Sequence, residues 1–113
     1  MPKRVETLLK IYLKELERVT DDKIKKVILY GSYARGDFHQ DSDVDVMILV
    51  DALVDAIVDG IGNIEKKICD VTYDFNNEYE MDIVPVVQSK GHFDYWKNAD
   101  MFYHNVDKEG VVI

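Results

Sequence analysis

The stretch KVILYGSYARGDFHQDSDVDVMILV, Lys26 to Val50, is apolar and rich in β-branched residues at both ends and polar in the middle. Lys26 to Gly31 (KVILYG) reads as a short buried strand. Ser32 to Asp43 reads as a turn with at most one helical turn at its start. Val44 to Val50 (VDVMILV) reads as a second strand. Its alternation sets Val44, Val46, Ile48 and Val50 on one face and Asp43, Asp45, Met47 and Leu49 on the other.

Working outward, Val5, Leu8, Leu9, Tyr12, Leu13, Leu16 and Val19 recur at three- and four-residue steps, which predicts a helix over Lys3–Val19 ended by Thr20, Asp21 and Asp22. A second helical period, Leu53, Ile57, Ile61, Ile64, Ile68, Val71 and Phe75, predicts a helix over 52–79. Met81 to Val87 (MDIVPVV) reads as a third strand, at an edge or a bulge because Pro85 forfeits a ladder donor. Residues 92–109 read as one or two short amphipathic helices anchored by Phe93, Trp96, Met101, Phe102 and Val106, and Val111–Ile113 as a final short strand. The expected fold class is α/β (α+β): a small mixed sheet with helices packed mainly on one face, in a single domain over residues 1–113.

The chain of 113 residues carries 14 Lys and Arg against 22 Asp and Glu, a formal charge of −8. That balance opposes a general duplex-DNA-binding role, which wants a basic face. The charge is uneven: residues 1–28 hold eight bases and five acids, residues 37–82 two bases and thirteen acids. Either a solvated helix face or cation binding accounts for so concentrated a repulsion. One cysteine, Cys69, excludes an internal disulfide framework, and beside Ile68 it reads as a buried thiol. The opening is helical in period rather than that of a secretory leader, and no run approaches the length of a membrane span. A cytoplasmic location is expected.

Gly31 and Ser32 end the first strand, and Asp43 and Asp45 open the second. A glycine lets a phosphate approach the backbone, and Ser32 stands where a short helix would begin. Asp43 and Asp45 share a strand face about 7 Å apart, a placement suited to Mg²⁺, which takes few protein ligands and borrows substrate phosphates. Asp-x-Asp alone is weak: with 15 Asp, chance supplies about two such pairs, and Asp41 with Asp43 is a second. The solvated acidic turn is the competing reading. Against it, Asp45 lies inside an apolar run, a costly place for an unpartnered charge. Asp82 is expected in the third strand, facing Asp45 if that strand neighbours the second; otherwise it is an edge-protecting charge. His39, His92 and His104 lack metal-ligand spacing, and there is no P-loop pattern.

Tyr30 to Val50 resembles the signature of the minimal nucleotidyltransferases, a small branch of the DNA polymerase β-like nucleotidyltransferase superfamily. Gly31, Ser32, Ala34, Arg35, Gly36, Ser42, Asp43 and Asp45 match it, and the tail NADMFYHNVDKEGVVI resembles the family's ending. The resemblance implies the polymerase β-like nucleotidyltransferase fold. It implies that Gly31 and Ser32 cradle the β- and γ-phosphates of ATP and that Asp43 and Asp45 hold one or two Mg²⁺. Asp82 would complete the metal site and help deprotonate the attacking hydroxyl. Ser42 would belong to the nucleotide-binding set. Arg35 is either a triphosphate contact or the partner of Asp37 or Asp41 in the turn. Small members do not all keep the third acid in register, so Glu80 stays open beside Asp82.

The same resemblance implies transfer of AMP from ATP to a hydroxyl. Its antitoxin-like form would be adenylylation of a tyrosine on a small helical partner of the HEPN toxin class encoded alongside. A homo-oligomer stays open. The alternative is a non-catalytic nucleotide- or metal-binding module that neutralises a partner by covering it. A glycosyltransferase reading leaves the Gly-Ser turn unexplained.

Overall fold

The computed structural model of the chain describes residues 1–51 and 60–113. The central stretch folds as β1 (Ile24–Tyr30), a single-turn helix α2 (Ser32–Arg35), a polar turn and β2 (Val44–Val50). Around it stand α1 (Lys3–Val19), α3 (Gly60–Tyr79), β3 (Ile83–Ser89), α4 (Lys90–Trp96), α5 (Met101–Glu109) and β4 (Val111–Val112). Leu53 and Ile57, from the stripe expected over 52–79, lie outside the described residues.

The four strands form one mixed sheet in the order β3-β2-β1-β4. β2 runs parallel to β3, and β1 runs antiparallel to both β2 and β4. β3 is an edge strand, which is where Pro85 costs least.

The alternation in β2 sorts its side chains into two cores. Val44, Val46, Ile48 and Val50 join Val27, Leu29, Ile83 and Val87 under α1 and α3, which contribute Leu9, Tyr12 and Leu16 and Ile64, Ile68 and Phe75. Each large apolar side chain buried there contributes roughly 1.5–3 kcal/mol. On the other face Ile28, Met47 and Leu49 meet Phe93 of α4 and Val106 of α5. The larger helical layer thus lies on one face, and two short helices partly cover the other. Between α1 and α3, the Thr72 hydroxyl donates to Ile68 O at 2.7 Å, so the buried Tyr12 hydroxyl donates to Thr72 Oγ1 at 2.6 Å. Burial pushes the Tyr12 pKa up to about 12 and keeps it a neutral donor.

Three expected anchors are not buried: Trp96, Met101 and Phe102 remain 43%, 79% and 46% exposed. α4 and α5 are short, and of their side chains Phe93 and Val106 are buried, with Tyr103 partly buried beside them. Cys69 is exposed as well, one step round α3 from the buried Ile68.

The junction after α3 sets the register of β3. Glu80 takes the left-handed conformation (φ 53°), and Met81 N–H reaches back to Asn76 O at 3.1 Å, closing the helix end. The Asn76 amide then clamps Ile83, donating to its carbonyl and accepting from its N–H, both at 3.0 Å. β3 therefore begins at Ile83, and Asp82 stands just ahead of it. No helix among the described residues is long and apolar enough to cross a membrane.

Candidate functional site

At the end of β1 the ladder pairs Tyr30 with Asp45 of β2. Gly31 follows, with φ 76°, in a region open to glycine and strained for other residues. A Cβ built on Gly31 would collide with Asp45 Oδ2. The glycine turn is therefore seated directly against a carboxylate of the neighbouring strand. α2 starts at once: Ala34 N–H and Arg35 N–H return to Gly31 O at 3.1 and 3.0 Å, and Gly36 closes the turn at φ 86°. Tyr33 stacks on Phe38 with ring centroids 4.5 Å apart and planes within 4°, pinning the polar turn onto α2.

Gly31, Ser32, Arg35 and Asp45 line one cleft of about 370 Å³, within the size range of small-molecule sites. Its remaining walls are Tyr30 and four residues of α5: Phe102, Asn105, Val106 and Glu109. The sequence reading missed these five. The periodicity of the four on α5 marks a half-buried helix, and nothing in it tells which strand end that helix faces.

Burial raises the Asp45 pKa above the usual carboxylate value, the charge of Asp43 raises it further, and Arg35 opposes the shift. Holding Asp45 ionised beside Asp43 therefore costs free energy that a cation would relieve. Tyr30 is pushed up to about 12, first by burial and then by Asp45, so its hydroxyl stays protonated.

Asp43 is exposed at the mouth of β2, and its neighbour Val44 donates its N–H to Asp82 O at 2.9 Å. The parallel register pairs Val44 with Ile83 and Asp45 with Val84. Asp82 therefore stands opposite Asp43, not Asp45, correcting the expected pairing. Glu80 lies in the turn rather than in the strand. Among the described residues no three His, Cys, Asp or Glu side chains converge into a metal-binding group. Asp43 and Asp45 still supply the one or two carboxylates that Mg²⁺ requires when phosphate and water complete its shell. The donor set fits a hard cation that arrives with a phosphate-bearing ligand.

Arg35 donates from Nε to Asp37 Oδ2 at 3.2 Å and lies 3.8 Å from Glu109 Oε2. It is the Asp37 pairing, with a second acid from the far end of the chain, that the structure contains. The Ser42 hydroxyl accepts from His39 N–H at 2.8 Å, and His39 Nδ1 accepts from Asp41 N–H at 3.2 Å, so both residues shape the turn. His39, His92 and His104 are exposed.

Comparison with known proteins yields a family match and related chains. The family profile described as Nucleotidyltransferase domain matches residues 9–106. Two proteins of Methanocaldococcus jannaschii, both bearing the name "Putative protein adenylyltransferase", are similar in sequence. One is 34% identical over 83 residues, 74% of this chain and 78% of the relative. The other is 32% identical over 109 residues, 96% of each chain. Among solved structures, a chain from "Crystal structure of the toxin-antitoxin with AMP-PNP" superposes with a TM-score of 0.54 at 18% identity, covering 91% of this chain and 70% of that one. That likeness is one of fold.

Proposed function

Since this chain belongs to the nucleotidyltransferase domain family, we propose that it moves AMP from ATP to a hydroxyl of a partner protein. The acceptor in this reading is a tyrosine of a small helical HEPN-class toxin, and the activity is that of an antitoxin in the cytoplasm. One observation carries the chemistry: the Gly31 turn, whose missing Cβ leaves room beside Asp45 Oδ2, opens into the same cleft as Ser32, Arg35 and Asp45. The names of the archaeal relatives support protein as the acceptor class. The toxin–antitoxin fold relative supports a protein partner.

In the proposed reaction the acceptor oxygen bonds to the α-phosphorus of ATP as the bond from that phosphorus to the bridging oxygen of pyrophosphate breaks. Pyrophosphate leaves with the electron pair, and the acceptor's proton passes to a base. Gly31 lets the phosphates approach the backbone, and Ser32 offers a hydroxyl to them. Arg35 exchanges its Asp37 contact for a phosphate oxygen, and Ser42 holds the turn that carries Asp43. Asp43 and Asp45, with Asp82 completing the set, would hold Mg²⁺, whose charge would stabilise the attacking and leaving oxygens. Asp82 accepts the hydroxyl's proton.

That no three acids converge among the described residues favours one other reading, a nucleotide-binding partner that neutralises the toxin by covering it. Mixing the chain, the partner and Mg-ATP and weighing both proteins by intact mass spectrometry separates the two. The expected result is a gain of about 329 Da on the partner for each AMP joined covalently. The gain should vanish when Asp43 and Asp45 are both changed to Asn. D82N should keep most ATP affinity and lose nearly all transfer. A tight complex with no added mass would overturn the enzymatic reading.

A further inference from the structure

We infer that the α5 wall of the cleft seats the base of the nucleotide, with Phe102 as its stacking platform and Asn105 as the side chain that reads its edge. The inference rests on the nucleotide reading of this cleft and adds the part of the ligand that discriminates one triphosphate from another.

The cleft has two chemically different ends. Gly31, Ser32, Arg35 and Asp45 are polar, charged or bare backbone, while α5 presents an aromatic ring, an amide and an aliphatic side chain. A nucleoside triphosphate has the same polarity: an anionic tail at one end, and at the other a flat heterocycle with apolar faces and a hydrogen-bonding edge.

The cleft-lining residues of α5, Phe102, Asn105, Val106 and Glu109, fall at positions i, i+3, i+4 and i+7, one face of a helix. On an ordinary core-facing helix such a stripe is buried. Here only Val106 is, at 1% exposure, while Phe102 keeps 46%. The face is built toward the cleft rather than into the core.

The platform is held firmly. The Asp100 carboxylate caps α5, accepting from Phe102 N–H at 2.9 Å and Tyr103 N–H at 3.2 Å, which fixes the backbone that carries the ring. The Phe102 ring meets Tyr30 edge to face, with centroids 5.7 Å apart and planes at 79°, and meets Tyr103 at 5.7 Å. At the other end of the stripe, Glu109 reaches Arg35 on α2 at 3.8 Å, joining this wall to the phosphate end. An exposed aromatic ring pinned by its neighbours is what a base needs for stacking, because little freedom is lost on contact.

Asn105 supplies the edge. Its amide carries a donor and an acceptor side by side, which matches the N6 and N7 groups of adenine; guanine presents two acceptors there. Arg35, the charged donor in the cleft that would suit guanine, stands on α2 at the phosphate end, where Glu109 meets it at 3.8 Å. The chemistry selects an adenine nucleotide.

The test is calorimetric titration of the full chain with ATP, GTP and inorganic tripolyphosphate, each with Mg²⁺, in wild type, F102A, F102Y and N105L. F102A should weaken ATP tenfold or more and leave tripolyphosphate within twofold, and F102Y should keep wild-type ATP affinity. N105L should reduce the ATP-over-GTP preference to near unity. Unchanged ATP affinity in F102A, with tripolyphosphate still binding, would overturn the inference and leave the nucleotidyltransferase reading intact. Equal losses of ATP and tripolyphosphate in F102A would also overturn it, by giving the ring a structural part. Failure of every ligand to bind the wild-type chain would overturn both readings.

Discussion

At Gly31 two separate demands fall on one position. The backbone sits at φ 76°, and the space a side chain would take belongs to Asp45 Oδ2. With ψ at −154° that backbone lies in a region open essentially to glycine, which costs another residue roughly 1–3 kcal/mol. The collision adds to that and displaces the carboxylate proposed to hold a cation. G31A should therefore lower the melting temperature by more than G36A, where φ is 86° and no atom lies within 4 Å of the added Cβ. G31A should also lose at least tenfold in Mg-ATP affinity. Thermal melts and ATP titrations of the two variants check both statements, and equal melting points would show that the Gly31–Asp45 approach carries no strain. The pairing of Gly31 with Asp45 was half legible: the Gly-Ser turn and the acid pair stood out in the sequence, but their contact depends on a register that pairs Tyr30 with Asp45. Less legible was the partner of Arg35. Asp37 is two residues away, whereas Glu109 enters from a helix near the end of the chain, and nothing local ties the two.

Elements were legible where one physical signal dominates. The apolar stripe and the Thr20–Asp22 break mark α1 from Lys3 to Val19, and the alternation of β2 sorts its side chains into the two cores in which they are found. Legibility ended where an element's limits depend on its neighbours. The start of β3 is fixed by the Asn76 clamp on Ile83, which moved Asp82 from a position inside a strand to its mouth. The exposure of Phe102 and Met101 depends on how little of the sheet α5 covers, and a helical period cannot report that. At this scale the Asp100 cap is the point to probe, because it holds the helix that walls the cleft. D100A should destabilise the fold by about 1 kcal/mol, roughly 4 °C in melting temperature for a chain of this length. D100N should recover most of that loss, since an asparagine oxygen also caps. A scan of the three proteins suffices, and an unaltered D100A melt would mean that the cap adds nothing to the packing that holds α5.

For the whole molecule, the sign and placement of charge matter more than any single pair. Thirteen acids crowd residues 37–82 while the first helix is basic, and at Asp45, whose pKa burial raises first, the charge of Asp43 raises it further. Mg²⁺ with ATP should stabilise the chain more than the sum of either alone, because each completes the other's binding. At a hundredfold excess over Kd the gain is about 2.7 kcal/mol, on the order of 10 °C here. Melts with metal, with ATP and with both would measure it, and strict additivity would rule out a shared site. The sheet order adds a consequence in time. Gly31, Ser32, Asp43 and Asp45 belong to β1, β2 and the turn between them, a local antiparallel pairing with a modest closure cost. Asp82 reaches Asp43 only across the parallel β2–β3 ladder, after α3 has folded and carried the chain back, and such non-local pairing forms slowly. A nascent or partly melted chain would thus bring Gly31 against Asp45 before it gains Asp82, the carboxylate proposed to take the acceptor's proton. In the proposed reaction, transfer would therefore wait until β3 docks beside β2.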